Sequence, residues 1–433
     1  MMARSVVAVG GAAALAGCSL ITDSFATNDF SGDPFPIQVD LQTGAVMVGL
    51  REGALPDRTA VLDVLSPVTL VDPGRDAPQS LRSADLTLLG RSATSGALDV
   101  PRARFAAADL FSLHPCTDET CAVGPDGAAQ PYAAIVGANA LAGDALRLRL
   151  GVGEAFILAD IGGNDRDRTY VCDAVFSAPY RGGGTLVIAD TEVSFGGRRV
   201  TLQACLGANP SPLVPQTERG ADALLVMSTG IGPSLLSAQA YTRYWQARMK
   251  ASPPPPPLEM LPEATVVLPS GPVTGRRATL DRLALAGASS SSSRAPCRQV
   301  YVHRMLTVDM DCKIPATTDW PCAGSKAFCS VPAVVELAPA AGLDVLVVDD
   351  GDPTLQALRA ELRPDEPEVD GILGTDAMRT AEIDVDYPHN RVLMRCPHPA
   401  PPGQPPGACT TRPAFAEATD CTQIRNCIQA GLR

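Results

Sequence analysis

Apolar positions along this chain gather in short runs, alternating or continuous, broken by glycine, proline, asparagine and serine. That is the pattern of strands and tight turns, not of amphipathic helices. Residues 37–41 and 45–50 read as a hairpin leading into a third apolar strand that ends at Leu62. The design returns further on: residues 185–188 and 192–195, a Gly196-Gly197 turn, then residues 200–202. An apolar run at 223–227 enters the small polar triplet Ser228-Thr229-Gly230, turns through Gly232 and Pro233, and re-enters apolar sequence at Leu235-Leu236. Its twin spans 60–71, with Asp63 where the later copy has Ser228, and with Thr69-Leu70 standing six residues on just as Ser234-Leu235 does.

A second pair of motifs repeats in the same order. Ile135-Val136-Gly137-Ala138-Asn139 echoes Ile372-Leu373-Gly374-Thr375-Asp376, and nine residues after each glycine lies an alternating strand. In the first, Leu146, Leu148 and Leu150 alternate with Arg147 and Arg149; in the second, Ile383, Val385 and Tyr387 alternate with Glu382, Asp384 and Asp386. Matched order and offset imply an internal duplication.

These motifs resemble the bilobal aspartic proteases, pepsin-like and retropepsin-like, in which each lobe supplies an Asp-Thr-Gly triplet from such a loop and an apolar-apolar-Gly element behind it. The resemblance covers residues 35–397 and is specific at the four motif stretches. It implies an all-β, two-lobed acid-protease fold built from pseudo-twofold duplicated β-barrel lobes, with residues 35–182 as the N-terminal lobe and 183–397 as the C-terminal lobe. The catalytic pair positions are then Asp63 and Ser228, the cleft loops are Val64, Leu65, Ser66, Thr229 and Gly230, and Gly137 and Gly374 close the lobes. The first triplet reads Asp63-Val64-Leu65 and the second Ser228-Thr229-Gly230, so each copy departs from the family pattern.

The departures bear on chemistry. In this class two carboxylates share a proton across a water, because like charges so close do not both ionise. Ser228 can hydrogen-bond a carboxylate but cannot exchange a proton with it near neutral pH. Val64 has no bracing hydroxyl, and Leu65 places a branched side chain where the family needs glycine. Members of a coupled catalytic unit fail together, and each positioned acid or base contributes about 100- to 10,000-fold. Asp63 alone makes a poor peptidase.

Residues 1–17 carry Arg4, an apolar segment and Leu15-Ala16-Gly17 before Cys18. This resembles a bacterial lipoprotein signal, which implies lipidation of Cys18, a tether over 18–34 and export to the cell envelope, with Ser19 favouring the outer membrane. An ordinary secretory signal, which also ends in small residues, is the alternative. Of the 13 cysteines, setting Cys18 aside leaves an even number suited to disulfides in an oxidising compartment. Close spacing suggests Cys116 with Cys121, Cys322 with Cys329 and Cys421 with Cys427, while Cys172 with Cys205 would tie the lobes. Four histidines and no paired Cys-x-x-Cys motifs argue against zinc, and no motif calls for a cofactor.

Composition changes the picture little: 45% hydrophobic, 4% aromatic, 38 glycines and 39 prolines suit a β-rich globular chain. The net charge of -12 argues against a nucleic-acid partner and against direct attraction to anionic lipid. The spacing from Asp63 to Gly137 is 74 residues and from Ser228 to Gly374 is 146, and the surplus is inserted material: prolines at 253–257, serines at 289–293 and a cysteine-rich stretch at 297–329. Residues 398–433 are a proline-rich linker and a cysteine-containing tail. The acidic groups Asp349, Asp350 and Asp352 read as a solvated turn around Gly351, with calcium binding or rescue of the missing acid as the sharper alternatives, and Asn164, Asp165 and Asp167 read the same way. None of His114, His303, His389 and His398 is placed as a base for Ser228.

Three functions remain open at this stage. One is a monomeric pseudoprotease binding an extended peptide or protein between its lobes. Another is an active aspartic endopeptidase using Asp63 with a surrogate acid. The third is a structural envelope lipoprotein.

Overall fold

The computed structural model describes residues 34–71 (save 42 and 55), 81–89, 98–107, 134–158 (save 142), 197–207, 220–268, 271–286, 334–361 (save 340) and 368–396. It adds short segments at 122–123, 129–130, 174–177, 180–181, 184–188, 191–195, 304–305, 328–330, 409–412 and 415–417, together with Cys297.

In the first half the strands that matter are β1 (Phe35–Pro36), β2 (Val46–Glu52), β3 (Arg58–Leu62), β4 (Thr69–Val71), β5 (Leu81–Leu88), β6 (Leu98–Ala107) and β7 (Ala134–Val136). The Asp63 loop joins β3 to β4, yet those strands are not neighbours. β7 lies between them, parallel to β3 and antiparallel to β4, so that Ile135 stands opposite both Val61 and Leu70. A strand in that position is covered on both faces, and the continuous apolar sequence of β3 answers to it: Ala60, Val61 and Leu62 are fully buried. β8 (Ala145–Arg149), β9 (Glu154–Leu158) and β10 (Ala174–Ser177) follow.

The second half repeats the device. β11 (Arg199–Leu206) and β12 (Ala221–Met227) lead through Ser228-Thr229-Gly230 into β13 (Ser234–Ser237) and helix α1 (Ala238–Arg248); β14 (Leu343–Val348), helix α2 (Pro353–Ala360), β15 (Gly371–Leu373), helix α3 (Thr375–Met378), β16 (Glu382–Asp386) and β17 (Arg391–Arg395) follow. β15 inserts between β12 and β13, parallel to the first and antiparallel to the second, with Ile372 opposite Val226 and Leu235. The two loops are therefore topological twins.

The alternating strands that follow each glycine motif meet across the molecule. β8 pairs antiparallel with β16 at the centre of a six-stranded sheet ordered β1-β9-β8-β16-β17-β10, with Arg147 opposite Asp384. Gly137 and Gly374 are separated by 237 positions, and so are Arg147 and Asp384, so the pseudo-twofold axis runs between those two side chains. Among the described residues, seven strands pair on the β3 side of this sheet and eleven on the β12 side. One apolar core runs through both halves and joins Leu62, Val136, Leu146, Leu148, Met227, Leu373, Ile383 and Val385. The two-lobed, all-β acid-protease architecture follows from this strand order.

Two features depart from the sequence reading. Cys205 bonds Cys297, not Cys172, and Cys396 bonds Cys409. Cys205 sits on β11 opposite Asp222 of β12, and the Asp222 carboxylate accepts the Cys297 amide at 2.7 Å, which brings the inserted segment to the strand. The suggested pairs Cys116–Cys121 and Cys421–Cys427 lie outside the described residues, as do Cys322 (the suggested partner of Cys329), Cys18, the 18–34 tether save Pro34, His114, His303, His398 and the Asn164–Asp167 turn. Secondly, helices interrupt the β pattern. Ser237 ends β13 and caps α1 by accepting from Ala240 N at 3.1 Å, and Asp352 caps α2 by accepting from Thr354 N at 2.9 Å and Leu355 N at 3.3 Å. Among the described residues no helix is long and apolar enough to cross a membrane.

Candidate active site

The twin loops face each other through their backbones. Asp63 N donates to Val136 O and Ser228 N to Leu373 O, each at 3.0 Å, so each inserted strand fixes the residue at its own pair position. Thr69 Oγ1 accepts from Gly137 N, and Ser234 Oγ accepts from Gly374 N, each at 3.1 Å, which explains the hydroxyl six residues beyond each pair position. A Cβ on Gly137 would lie 2.2 Å from Val68 O, and one on Gly374 would lie 2.3 Å from Gly232 O. Glycine is therefore required at both sites by the close approach of the loop it supports.

Asp63 and Ser228 are brought into contact. Ser228, fully buried, donates from Oγ to Asp63 Oδ1 at 2.9 Å. Three backbone amides converge on the same oxygen: Leu65 N at 2.9 Å, Thr229 N at 3.1 Å and Gly230 N at 3.1 Å. Gly230 N also donates to Ser228 Oγ at 3.1 Å, mirroring the Leu65 amide on Asp63. Oδ2 takes no donor from any described residue, and the Asp63 side chain remains partly open to solvent. A Cβ on Gly230 would sit 2.7 Å from that oxygen. Burial raises the Asp63 carboxyl above its ordinary value, and the four donors act in the opposite direction without cancelling it.

The bracing hydroxyl survives on one side. Thr229 Oγ1 donates to Leu62 O at 2.5 Å and accepts from Val64 N at 3.1 Å, reaching from the second loop into the first. Val64, buried at the matching position, has no group to return the bond. Leu65 packs its half-buried side chain against two apolar clusters of the second half, one containing Ile231 and Leu235 and the other Leu224, Val226 and Val369. The residue in glycine's place therefore serves as an apolar plug between the lobes. Ser66 Oγ donates to Val68 O at 2.7 Å within its own turn.

Three contributors were not evident from sequence. Arg199, at the start of β11, donates to Leu65 O at 2.6 Å and forks onto Glu361 at 2.5 and 2.8 Å, so a guanidinium of the second half holds the Asp63 loop by its carbonyl. The turn before β2 crosses the other way: Gly232 N donates to Thr43 O at 2.6 Å, Val46 N to Thr229 O at 2.8 Å, and Thr375 Oγ1 to Gly44 O at 2.6 Å. Gly44 has φ +69° and its Cα lies against Gly232. Tyr387, buried at the end of β16, has its phenol pushed up by burial, with the Arg198 charge acting downward and the Asp63 charge upward. No local pattern marks these contacts; only the alternation that placed Tyr387 on a strand was visible.

Two of the remaining acidic candidates have structural employment. Asp350 Oδ1 accepts from Gln239 N at 3.2 Å, Asp352 caps α2, and neither bonds to the Asp63 or Ser228 loop. His389 Nδ1 lies 2.8 Å from Asp386 Oδ1 in the β16–β17 turn. Among the described residues no group of histidine, cysteine, aspartate or glutamate could hold a metal ion.

No known protein family matches this chain, and no curated protein does. Among solved structures it is similar to basic 7S globulin from soybean, at 12% identity over 84% of this chain and 95% of that one, with a TM-score of 0.38. It is similar also to the aspartic proteinase from Irpex lacteus, at 13% identity over 85% of this chain and 98% of that one, with a TM-score of 0.40. At those scores neither similarity adds to what the strand order itself shows.

Proposed function

We propose that the protein is an exported, lipid-anchored pseudoprotease, held in the cell envelope through Cys18, whose interlobe cleft binds a peptide or protein segment in extended form. The observation that supports it most is the Asp63–Ser228 contact: the second carboxylate of an aspartic dyad is replaced by a buried hydroxyl that already donates to the first. A serine in that place cannot trade protons with Asp63 across a water, so the two-acid mechanism has only one acid. Among the described residues no carboxylate other than Asp63 bonds to either loop, which weighs against the endopeptidase reading. The backbone that would present the pair is nevertheless fully organised, which favours retained binding over decay. The test is retention. The disulfide-intact protein, immobilised, is expected to hold capped extended peptides without cleaving them, and to release them when free peptide competes. Passage of a diverse capped library without retention would contradict the proposal.

A further inference from the structure

Five carboxylates of the described protein are buried: Asp144, Asp370, Glu382, Asp384 and Asp386. Four of them meet a guanidinium, Asp370 from Arg243, Asp384 from Arg147, Asp386 from Arg391 and Glu382 from Arg395. This is what burial of charge demands. Asp144 is the exception; it follows the Gly137 motif and bonds to neither loop. Asp63, half-buried between the loops, is a second acid without a counter-charge: its four partners are three amides and a hydroxyl, all neutral. All four use Oδ1, so the unfilled acceptor is Oδ2.

We propose that the cleft receives a primary ammonium group against Asp63 Oδ2, so that its extended ligand carries a lysine side chain or a free N-terminus where it crosses the two loops. This rests on the peptide-binding reading above and specifies its chemistry. An ammonium suits the geometry better than a guanidinium. With Oδ1 saturated, the carboxylate offers one oxygen, which a compact point charge can use and a bidentate fork cannot. The protein's net charge of -12 draws cations towards its surface.

Among the described residues, the second half brings Arg198, Arg199 and Tyr387 towards the Asp63 loop. Arg199 is committed to Glu361 and the Leu65 carbonyl, Arg198 acts on Tyr387, and the Tyr387 phenol is held neutral by burial. Asp63 is thus the group that titrates on binding. Burial favours its proton, an arriving ammonium displaces that proton, and affinity rises with pH until the free carboxyl is ionised. A neutral carbonyl seated on protonated Asp63 would show the reverse sign.

The test compares two capped polyalanine heptapeptides that differ at the central residue, lysine in one and norleucine in the other, binding to the whole disulfide-intact protein across pH. The lysine peptide is expected to bind about 10-fold tighter or better near neutral pH, a preference that shrinks on acidification. n-Butylammonium should compete with it, and competition by that amine alone would show that the site needs only the ammonium and not the peptide frame. Asp63→Asn should erase the difference between the lysine and norleucine peptides. Equal affinities, or a preference that grows on acidification, would overturn the ammonium assignment and leave the peptide cleft standing. Failure of both peptides to bind would overturn both.

Discussion

Asp63 accepts four hydrogen bonds on one oxygen, and burial still holds its carboxyl above the ordinary value. For an acid whose folded value is raised, the native state favours the proton, so stability is complete below the unfolded value and falls as pH rises through the folded one. Asp63→Asn keeps an acceptor on Oδ1 and removes the ionisation. The variant is expected to melt higher than the native protein at neutral pH, with the difference closing on acidification; thermal melts at a series of pH values check it. Asp144 gives the companion case. It is 4% exposed, its Oδ2 is buried without a hydrogen bond, and burial pushes its carboxyl up to about 6. Asp144→Asn should therefore gain about 1–2 kcal/mol over the native protein above that pH and nothing well below the ordinary carboxylate range, read by denaturant unfolding. Gly230→Ala tests the loop contact. Its Cβ would lie 2.7 Å from Asp63 Oδ2 and 2.8 Å from Cγ, so the expected cost is about 1–3 kcal/mol with displacement of the carboxylate. Asp63, Ser228 and Gly230 were legible because an apolar run, a small triplet and a glycine turn form a local signature. Arg199 was not, because it reaches Leu65 from 134 positions away and an isolated arginine at a strand start carries no such mark.

At the scale of elements, the β8–β16 seam joins the lobes by charge as well as by backbone. Arg147 meets Asp384 with both bonds at 2.7 Å, and Arg149 lies 3.1 Å from Glu382, which Arg395 also contacts. All the bases on this pair of strands come from one lobe and all the acids from the other. Burial opposes ionisation of Glu382, but Arg395 and Arg149 outweigh it and hold the carboxyl below its ordinary value. Its stabilisation is present above the unfolded carboxylate value and is lost as pH falls through the folded one. Arg147→Ala leaves the buried Asp384 without its fork and is expected to cost about 3 kcal/mol. Arg147→Ala with Asp384→Ala should recover part of that loss, as a double-mutant cycle would report. The alternation of sign along the two strands was plain in the sequence, yet their pairing was not, since nothing local says that segments 237 positions apart are partners. The helices were missed for another reason. α1 grows directly out of β13, and its buried face is two tyrosines and an alanine on an otherwise polar segment, a weak apolar stripe. The Asp352-Pro353 start of α2 is a readable cap signal, but the acidic residues around Gly351 read equally as a solvated turn.

For the whole molecule, the duplication is the deciding fact. Two loops of one topology, two inserted strands and two seam strands meet about a single axis, and one core runs through both halves. The fold was legible because four short motifs repeat in order at a fixed offset. The disulfide from Cys205 was not, because its partner Cys297 lies 92 positions away at the start of a cysteine-rich insertion. Symmetry of the frame contrasts with asymmetry of its contents: aspartate against serine, valine against threonine, leucine against glycine. The frame holds a pair of positions, and one acid occupies them. The central claim is that such a site binds without cutting. It is tested most directly by incubating the disulfide-intact protein with a diverse peptide library between about pH 3 and 8, alongside Asp63→Asn, and analysing the products by mass spectrometry. The account predicts no cleavage, or a background that Asp63→Asn leaves unchanged. Cleavage that disappears with Asp63→Asn would contradict it.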